Sequence, residues 1–287
     1  MIQVGRRLHA RFGVEISGVD LRSVSDDDVL ELRRVLASYG LLLFPDQQLA
    51  EAEYEHFARR IGNGQLELSA RRISHGTENP HVSQLTNLVT EKGEARGFGG
   101  QGTDFWHSDQ EFREHPASLA SLYCRLPSRE GGNTSFASTA VTSLNLPSAM
   151  VERLRDLWST RIPADTHDNV ARVEVAHPVI LKNAHDGREF LYHSENTRRF
   201  LNVDEEDSDA MCKDLVGRLI AHDNIYSHSW RSDDLLLYDN TQVIHRREAF
   251  EGDRWLLGAK IYAPDEPFVI PDGFQVDASE EMHRVPA

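Results

Sequence analysis

The chain has 287 residues, enough to bury a sizeable core as one large domain or two small ones. Its composition, 39% hydrophobic and 27% charged, is that of a globular protein rather than a disordered one. With 46 acidic and 31 basic residues the formal net charge is −15, which argues against sequence-independent nucleic-acid binding, a function that needs a basic face.

Taken in chain order, the first quarter reads as α plus β. Ser25 caps a helix with Asp28 as its capping-box partner; Val29, Leu32 and Leu36 repeat at helical spacing, and Gly40 ends the run. Leu41 to Phe44 reads as a buried strand stopped by Pro45-Asp46. A second amphipathic helix is expected from about Ala50 to Ile61. Residues from about 68 to 103 are polar, and Glu94 to Gly102 has the composition of a mobile loop, either an active-site lid or a plain surface loop. From Trp106 onward short strands dominate. They are expected at Ser118 to Arg125, Thr134 to Ser138, Val179 to Leu181, Glu189 to His193, Tyr226 to Trp230, Asp234 to Tyr238 and Leu256 to Tyr262, with helices at Ser148 to Leu157 and Asp204 to Ala221. Without repeats or a clear linker, residues 1–287 are expected to form a single domain. Its class is α+β with a mainly β core, a sandwich or jelly roll with flanking and inserted helices.

Cys124 and Cys212 are the only cysteines and form no CxxC pair, so neither a disulfide framework nor a zinc knuckle is expected. Both are read as reduced packing residues. The basic N-terminus, Met1 to Arg7, has no apolar run behind it, and stretches such as Leu41-Leu42-Leu43-Phe44 are too short to span a bilayer. A cytoplasmic protein with no membrane partner is the expectation.

The chemistry concentrates in Phe105-Trp106-His107-Ser108-Asp109 and in His245. A His-X-Asp pair plus one distant histidine is the ligand set of the two-histidine, one-carboxylate facial triad, which binds iron(II) and leaves positions open for cosubstrate and O₂. On a strand, alternation would point His107 and Asp109 to one face, with His245 delivered from the opposite side of a barrel mouth. The same residues also suit a hydrogen-bonded histidine beside a solvated aspartate, since the chain has 14 histidines. Arg254, nine residues after His245, offers a bidentate fork for a carboxylate such as the distal one of 2-oxoglutarate; alternatively it pairs at the surface with Asp253 or Glu251. Thr134 offers a hydroxyl as a second donor, Phe105 and Trp106 an apolar wall, and Asn240 a turn near His245.

Several segments resemble the taurine dioxygenase / 2,4-dichlorophenoxyacetate dioxygenase (TauD/TfdA) family of Fe(II)- and 2-oxoglutarate-dependent oxygenases. These are Gly13 to Leu21, Gly40 to Gln47, Trp106-His107-Ser108-Asp109, Gly131 to Phe136, Asp239-Asn240, His245-Arg246 and Arg254, in family order over nearly the whole chain. The resemblance implies a double-stranded β-helix with His107, Asp109 and His245 on iron. It implies Thr134 and Arg254 on 2-oxoglutarate, and hydroxylation or desaturation of an unactivated C–H bond with release of succinate and CO₂. There are departures. The taurine branch carries a second arginine four residues after the first, where this chain has Gly258, and the His245–Arg254 loop is shorter; both argue against a sulfonate substrate. Asp109 is intact, which argues against halogenation. Trp230 to Leu235 and Arg247 to Phe250 are similar to segments of desaturases that act on isonitrile precursors.

The expected partner is a small organic molecule, amino-acid-derived or a carboxylate. Candidate contacts to it are Gln84, Asn87, Thr103, His193 and Lys260, each of which also suits ordinary packing or surface roles. A homo-oligomer contact through a sheet edge or the N-terminal helices stays open. Two other classes remain: a zinc hydrolase on the same three ligands, which lacks an identifiable general base, and a non-catalytic jelly-roll binding protein.

Overall fold

The computed structural model describes residues 2–67, 79–97, 104–162 and 174–263. Thr103 and residues 98–102 of the glycine-rich loop lie outside them. An N-terminal pair, β1 (Gln3–Arg7) and β2 (Val14–Ser17), leads to α1 (Asp26–Tyr39), β3 (Leu41–Phe44), α2 (Glu51–Ile61) and β4 (Ser83–Thr86). The central strands are β5 (Leu119–Leu126), β6 (Glu130–Gly131) and β7 (Thr134–Ser138). Next come α3 (Ser148–Arg155), β8 (Trp158–Arg161), β9 (Val175–Pro178), β10 (Ile180–Lys182), β11 (Glu189–Leu191), β12 (Arg199–Phe200) and α4 (Glu205–Leu219). The last stretch holds β13 (Ile225–His228), β14 (Leu235–Asp239), β15 (Val243–Arg247), β16 (Phe250–Glu251) and β17 (Trp255–Ile261). The class is mixed α and β, with strand predominant, as expected.

Local chemistry explains the helix boundaries. Ser25 Oγ accepts the Asp28 N–H at 3.1 Å while Asp28 Oδ2 accepts the Ser25 N–H at 3.1 Å, a closed capping box. Gly40 takes a φ of 71° at the other end, the left-handed conformation that glycine adopts without a Cβ penalty. Its sharp reversal sends the chain straight into β3.

Two sheets matter for the site. The larger has the order β1-β2-β3-β14-β5-β17-β4, antiparallel except where β2 meets β3. The smaller has the order β13-β7-β15. Period-two alternation sorts the large sheet's side chains. Leu42, Phe44, Tyr123, Leu235, Leu237, Leu257 and Ile261 pack on one face with α1 and α2. Leu41, Leu43, Leu122, Cys124, Leu236, Tyr238 and Leu256 pack on the other with Phe136 and Val243 of the small sheet. The outer face of the small sheet, with Ala137 and Ile244, is covered by α4, β10 and β11 together with Trp106.

Some boundaries differ from expectation. The β13 strand ends at His228 because Trp230 turns into the space between the sheets, where its Nε1–H donates to Thr134 Oγ1 at 3.0 Å. The β8 and β9 strands escape sequence reading because Trp158-Ser159-Thr160-Arg161 and Val175-Ala176-His177-Pro178 bury polar side chains where an apolar alternation would be sought. Cys124 is buried and Cys212 half-buried, both as free thiols. No helix among the described residues is long and apolar enough to cross a membrane.

This layer also buries two imidazoles. Burial, with Arg161 nearby, brings both His177 and His193 down to about 3. An unfolded chain binds protons at these residues from about pH 6.5 downward and the native state does not. Stability should therefore fall as pH drops through 6.5, before most carboxylates titrate. Urea midpoints at pH 7.5, 6.5 and 5 check this; a flat profile across that window would contradict it.

Candidate metal centre

The centre forms where the chain crosses from the large sheet to the small one. The β14 strand ends at Asp239, residues 240–242 turn, and β15 begins at Val243. In β15, His245 stands opposite Phe136 of β7 and shares the inward face with Val243; its ring lies 5.8 Å from Phe136, nearly parallel. His107 then pairs directly with His245. The His107 N–H donates to the His245 carbonyl at 3.0 Å, and the His245 N–H donates to the His107 carbonyl at 2.9 Å. The two ring centroids are 4.3 Å apart.

This arrangement corrects two expectations. The His-X-Asp triplet does not lie on a strand: His107 makes a single isolated bridge and Asp109 sits in the turn that follows. His245 does not come from across a barrel mouth but is the backbone partner of His107. The turn itself is held by Asn240. The Asn240 carbonyl accepts from Ser108 Oγ at 2.7 Å, its Oδ1 accepts the Asp109 N–H at 3.3 Å, and its Nδ2–H donates to the Ala117 carbonyl at 2.8 Å.

One donor atom from each of His107, Asp109 and His245 lies within 4.8 Å of the others. His107 Nε2 is 3.9 Å from Asp109 Oδ1, and His245 Nε2 is 3.8 Å from Oδ2. A hydrogen bond fixes the tautomer of His107: its Nδ1–H donates to the Phe105 carbonyl at 3.0 Å, which leaves the Nε2 lone pair facing the carboxylate. Burial, and then His107, holds His245 well below the usual imidazole range, so it is neutral. Burial alone would raise the Asp109 carboxyl, but the Lys260 ammonium beside it outweighs burial and keeps it ionised. Two imidazoles and one carboxylate on one side of a point suit a divalent first-row metal with open positions.

Arg254 immediately precedes β17 and is 5% exposed. Its backbone is fixed by Asn87 Oδ1, which accepts the Arg254 N–H at 2.9 Å, and by Thr86 Oγ1, which donates to the Arg254 carbonyl at 2.7 Å. Its Nε finds no hydrogen-bond partner, and it forms no ion pair among the described residues; Glu251 pairs instead with Arg129. Burial and the neighbouring Arg247 bring its guanidinium down to about 10. A buried guanidinium without a counter-ion is costly, so this is a fit for an anionic ligand. Thr134 is 3% exposed and stands opposite Arg247 in the β7–β15 ladder, at the same end of the small sheet. Its oxygen already accepts from Trp230, which leaves its own proton to donate.

The other candidates divide. Lys260 shares the inward face of β17 with Arg254 by strand parity and forms an ion pair with Asp109 Oδ2. Gln84 commits both ends of its amide, accepting from Trp255 Nε1 at 2.8 Å and donating to Glu51 at 3.1 Å. Asn87 serves Arg254 and the Gly252 carbonyl. His193 stacks on Phe200 and reaches the Cys212 carbonyl at 3.2 Å, inside the layer covering the small sheet.

Sequence reasoning missed Tyr238 and Glu111. Tyr238 is fully buried, and its hydroxyl donates to Asp109 Oδ2 at 2.9 Å; the signal was its inward parity on β14. Glu111, two residues past Asp109, is 1% exposed. It accepts from Ser194 Oγ at 2.7 Å, from Asn196 Nδ2 at 2.9 Å, from the Ser108 N–H at 3.3 Å and from Arg161 Nε at 3.4 Å. The ligand turn is thereby tied to β8.

These features define a mainly β scaffold that carries a candidate metal centre and a buried guanidinium with no ion pair among the described residues. The chain belongs to the family described as taurine catabolism dioxygenase TauD, TfdA family, which it matches over residues 5–260, and is thus a dioxygenase. It is 23% identical over 270 residues to the alpha-ketoglutarate-dependent 2,4-dichlorophenoxyacetate dioxygenase of Cupriavidus pinatubonensis, covering 88% of this chain and 94% of that one. It is 23% identical over 285 residues to pentalenolactone F synthase of Streptomyces avermitilis, covering 89% and 92%. The crystal structure of AAD-2 in complex with Mn(II) and N-oxalylglycine shares the fold, with a TM-score of 0.79, 22% identity and coverage of 93% and 98%.

Glu111→Gln should be strongly destabilising, because it leaves Arg161, which is 0% exposed, as a buried charge without its partner. The expected loss is about 3–5 kcal/mol, read from urea unfolding against wild type; a loss below about 1 kcal/mol would show that the pair does not hold the turn.

Proposed function

We propose that the chain is an Fe(II)- and 2-oxoglutarate-dependent oxygenase acting on an unactivated C–H bond of a small anionic organic substrate. The observation that carries this reading is the pairing of a His107–Asp109–His245 cluster with a buried guanidinium, Arg254, that has no counter-ion among the described residues. A zinc hydrolase would use the first and give the second no work.

In this reading His107, Asp109 and His245 hold the ferrous ion from one side. Arg254 pairs with the distal carboxylate of 2-oxoglutarate, and Thr134 donates its free hydroxyl proton to the same group. N-oxalylglycine, present with Mn(II) in the AAD-2 structure, is 2-oxoglutarate with one methylene replaced by NH, and supports the assignment of cosubstrate. Bound together, iron and 2-oxoglutarate supply the oxidation of substrate by O₂, with succinate and CO₂ released. The protein's part is to orient and to exclude water: Phe136 flanks the His245 ring and Phe105 the His107 ring, whereas Trp106 packs on the far side of the small sheet, and Asn240 keeps the ligand turn fixed.

The cations Arg254 and Lys260 favour an anionic substrate beside an anionic cosubstrate. We assign a second proton of the Lys260 ammonium, beside the one facing Asp109, to the substrate's anionic group; Gln84, Asn87 and His193 act away from the substrate, and Thr103 stays a candidate outside the described residues. Gly258 leaves no cation four residues past Arg254, which disfavours a sulfonate. We further propose that the two sheets are the walls of a double-stranded β-helix, a jelly roll, in one domain over residues 1–287. The shared fold with AAD-2 across 93% of the chain supports this.

Arg254→Ala should raise the 2-oxoglutarate concentration needed for half-maximal succinate release. A charge-assisted pair is worth about 1.5–3 kcal/mol, or roughly 10- to 100-fold. Substrate affinity should change far less. An unaltered cosubstrate requirement would return Arg254 to a structural role. Asp109→Ala should abolish substrate-coupled succinate release, and retained turnover would remove that carboxylate from the centre.

A further inference from the structure

Asp109 does not present two equal oxygens. Oδ2 accepts from the Tyr238 hydroxyl at 2.9 Å and forms an ion pair with the Lys260 ammonium, which reach it from β14 and β17. Oδ1 accepts no hydrogen bond among the described residues, and it faces His107 Nε2 at 3.9 Å. One hydrogen bond and one ion pair thus converge on Oδ2, which leaves Oδ1 as the freer donor atom. Tyr238 itself has no freedom to leave. Its ring is 0% exposed, meets Phe136 edge-on at 5.2 Å and lies 5.0 Å from the His245 ring. Its hydroxyl is also 3.4 Å from His245 Nε2, so one phenol touches two of the three candidate ligands.

We propose that Tyr238 is a positioning residue of the metal centre: its hydroxyl, with Lys260, occupies Asp109 Oδ2 so that the carboxylate binds the ion through Oδ1 alone. This rests on the metal reading given above and goes one step further. Binding through one oxygen keeps a coordination position open that a two-oxygen carboxylate would close, and a site that must take a bidentate cosubstrate and O₂ needs that position. Orientation also carries affinity, because a ligand held in its binding rotamer loses less freedom on coordination. Outer hydrogen-bond partners of metal ligands are typically worth about 10- to 100-fold in metal affinity.

The test is Mn(II) binding, followed by electron paramagnetic resonance, to wild-type, Tyr238→Phe and Asp109→Ala proteins. The Co(II) visible spectrum and thermal melting are recorded for the same three proteins. Tyr238→Phe keeps the ring and its packing, so the fold should persist with a small melting shift. The expected result is tight Mn(II) binding in wild type, none in Asp109→Ala, and about tenfold weaker binding in Tyr238→Phe. The Co(II) bands of Tyr238→Phe should also weaken, as a second carboxylate oxygen raises the coordination number. A purely structural role would shift melting and leave Mn(II) affinity and the Co(II) spectrum alone. Wild-type affinity and spectrum in Tyr238→Phe, with binding lost in Asp109→Ala, would overturn the role of Tyr238 while sparing the metal centre. Equal binding by wild type and Asp109→Ala would overturn the centre itself.

Discussion

Two backbone hydrogen bonds between His107 and His245 are the constraint on which the site depends. They link residues far apart in sequence and set the two rings side by side at a separation that side-chain packing alone would not define. Because both residues spend their main-chain groups on each other, the rings have little choice of direction. Asp109 needs only the short turn after His107 to complete the set, and the side chain and carbonyl of Asn240 fix that turn. A centre built this way inherits the rigidity of the β7–β15 ladder rather than the looseness of a loop.

The rest follows from alternation. The face of the large sheet that carries Leu41, Leu122 and Leu256 toward the small sheet also carries Tyr238 and Lys260, two residues a purely apolar core would not tolerate. They are tolerated because Asp109 gives both a partner. The opposite face, packed on α1 and α2, has no such demand and is built largely of Leu, Val, Ile and Phe. One sheet therefore separates a core that stabilises from a core that works. A one-residue slip of β14 or β17 would exchange the two roles, so register is under double control.

Legibility in the sequence tracks the range of the signal. The α1 helix, with its capping box and terminal glycine, was readable because Ser25, Asp28 and Gly40 act over three or four residues. Strand β3 was readable because four apolar residues stand between a glycine and a proline. The His107, Asp109 and His245 set was readable as a pattern, yet its geometry was not: nothing local says that His107 bridges β15 or that Asp109 leaves the strand. Strands β8 and β9 were hidden because Ser159, Thr160, Arg161 and His177 are buried by long-range partners. Tyr238 was hidden for a related reason, since a tyrosine among leucines in a strand reads as packing until the carboxylate it meets is known.

Arginine shows most plainly where sequence reasoning stops and structure begins. Arg161 and Arg254 are both nearly inaccessible, yet they do opposite things. Arg161 is satisfied within the protein: Glu111 offers its carboxylate, Ser159 and Tyr192 offer carbonyls, and the Tyr192 ring lies 4.8 Å beneath the guanidinium. Among the described residues Arg254 has backbone support from Asn87 and Thr86, a flanking aromatic ring in Phe250, a like charge in Arg247, and no carboxylate. Burial without compensation has to be offset from elsewhere, and a ligand's carboxylate is the group that can do so. The difference between an arginine that ties strands together and one that binds a ligand lies in what surrounds the guanidinium, which no local sequence pattern encodes.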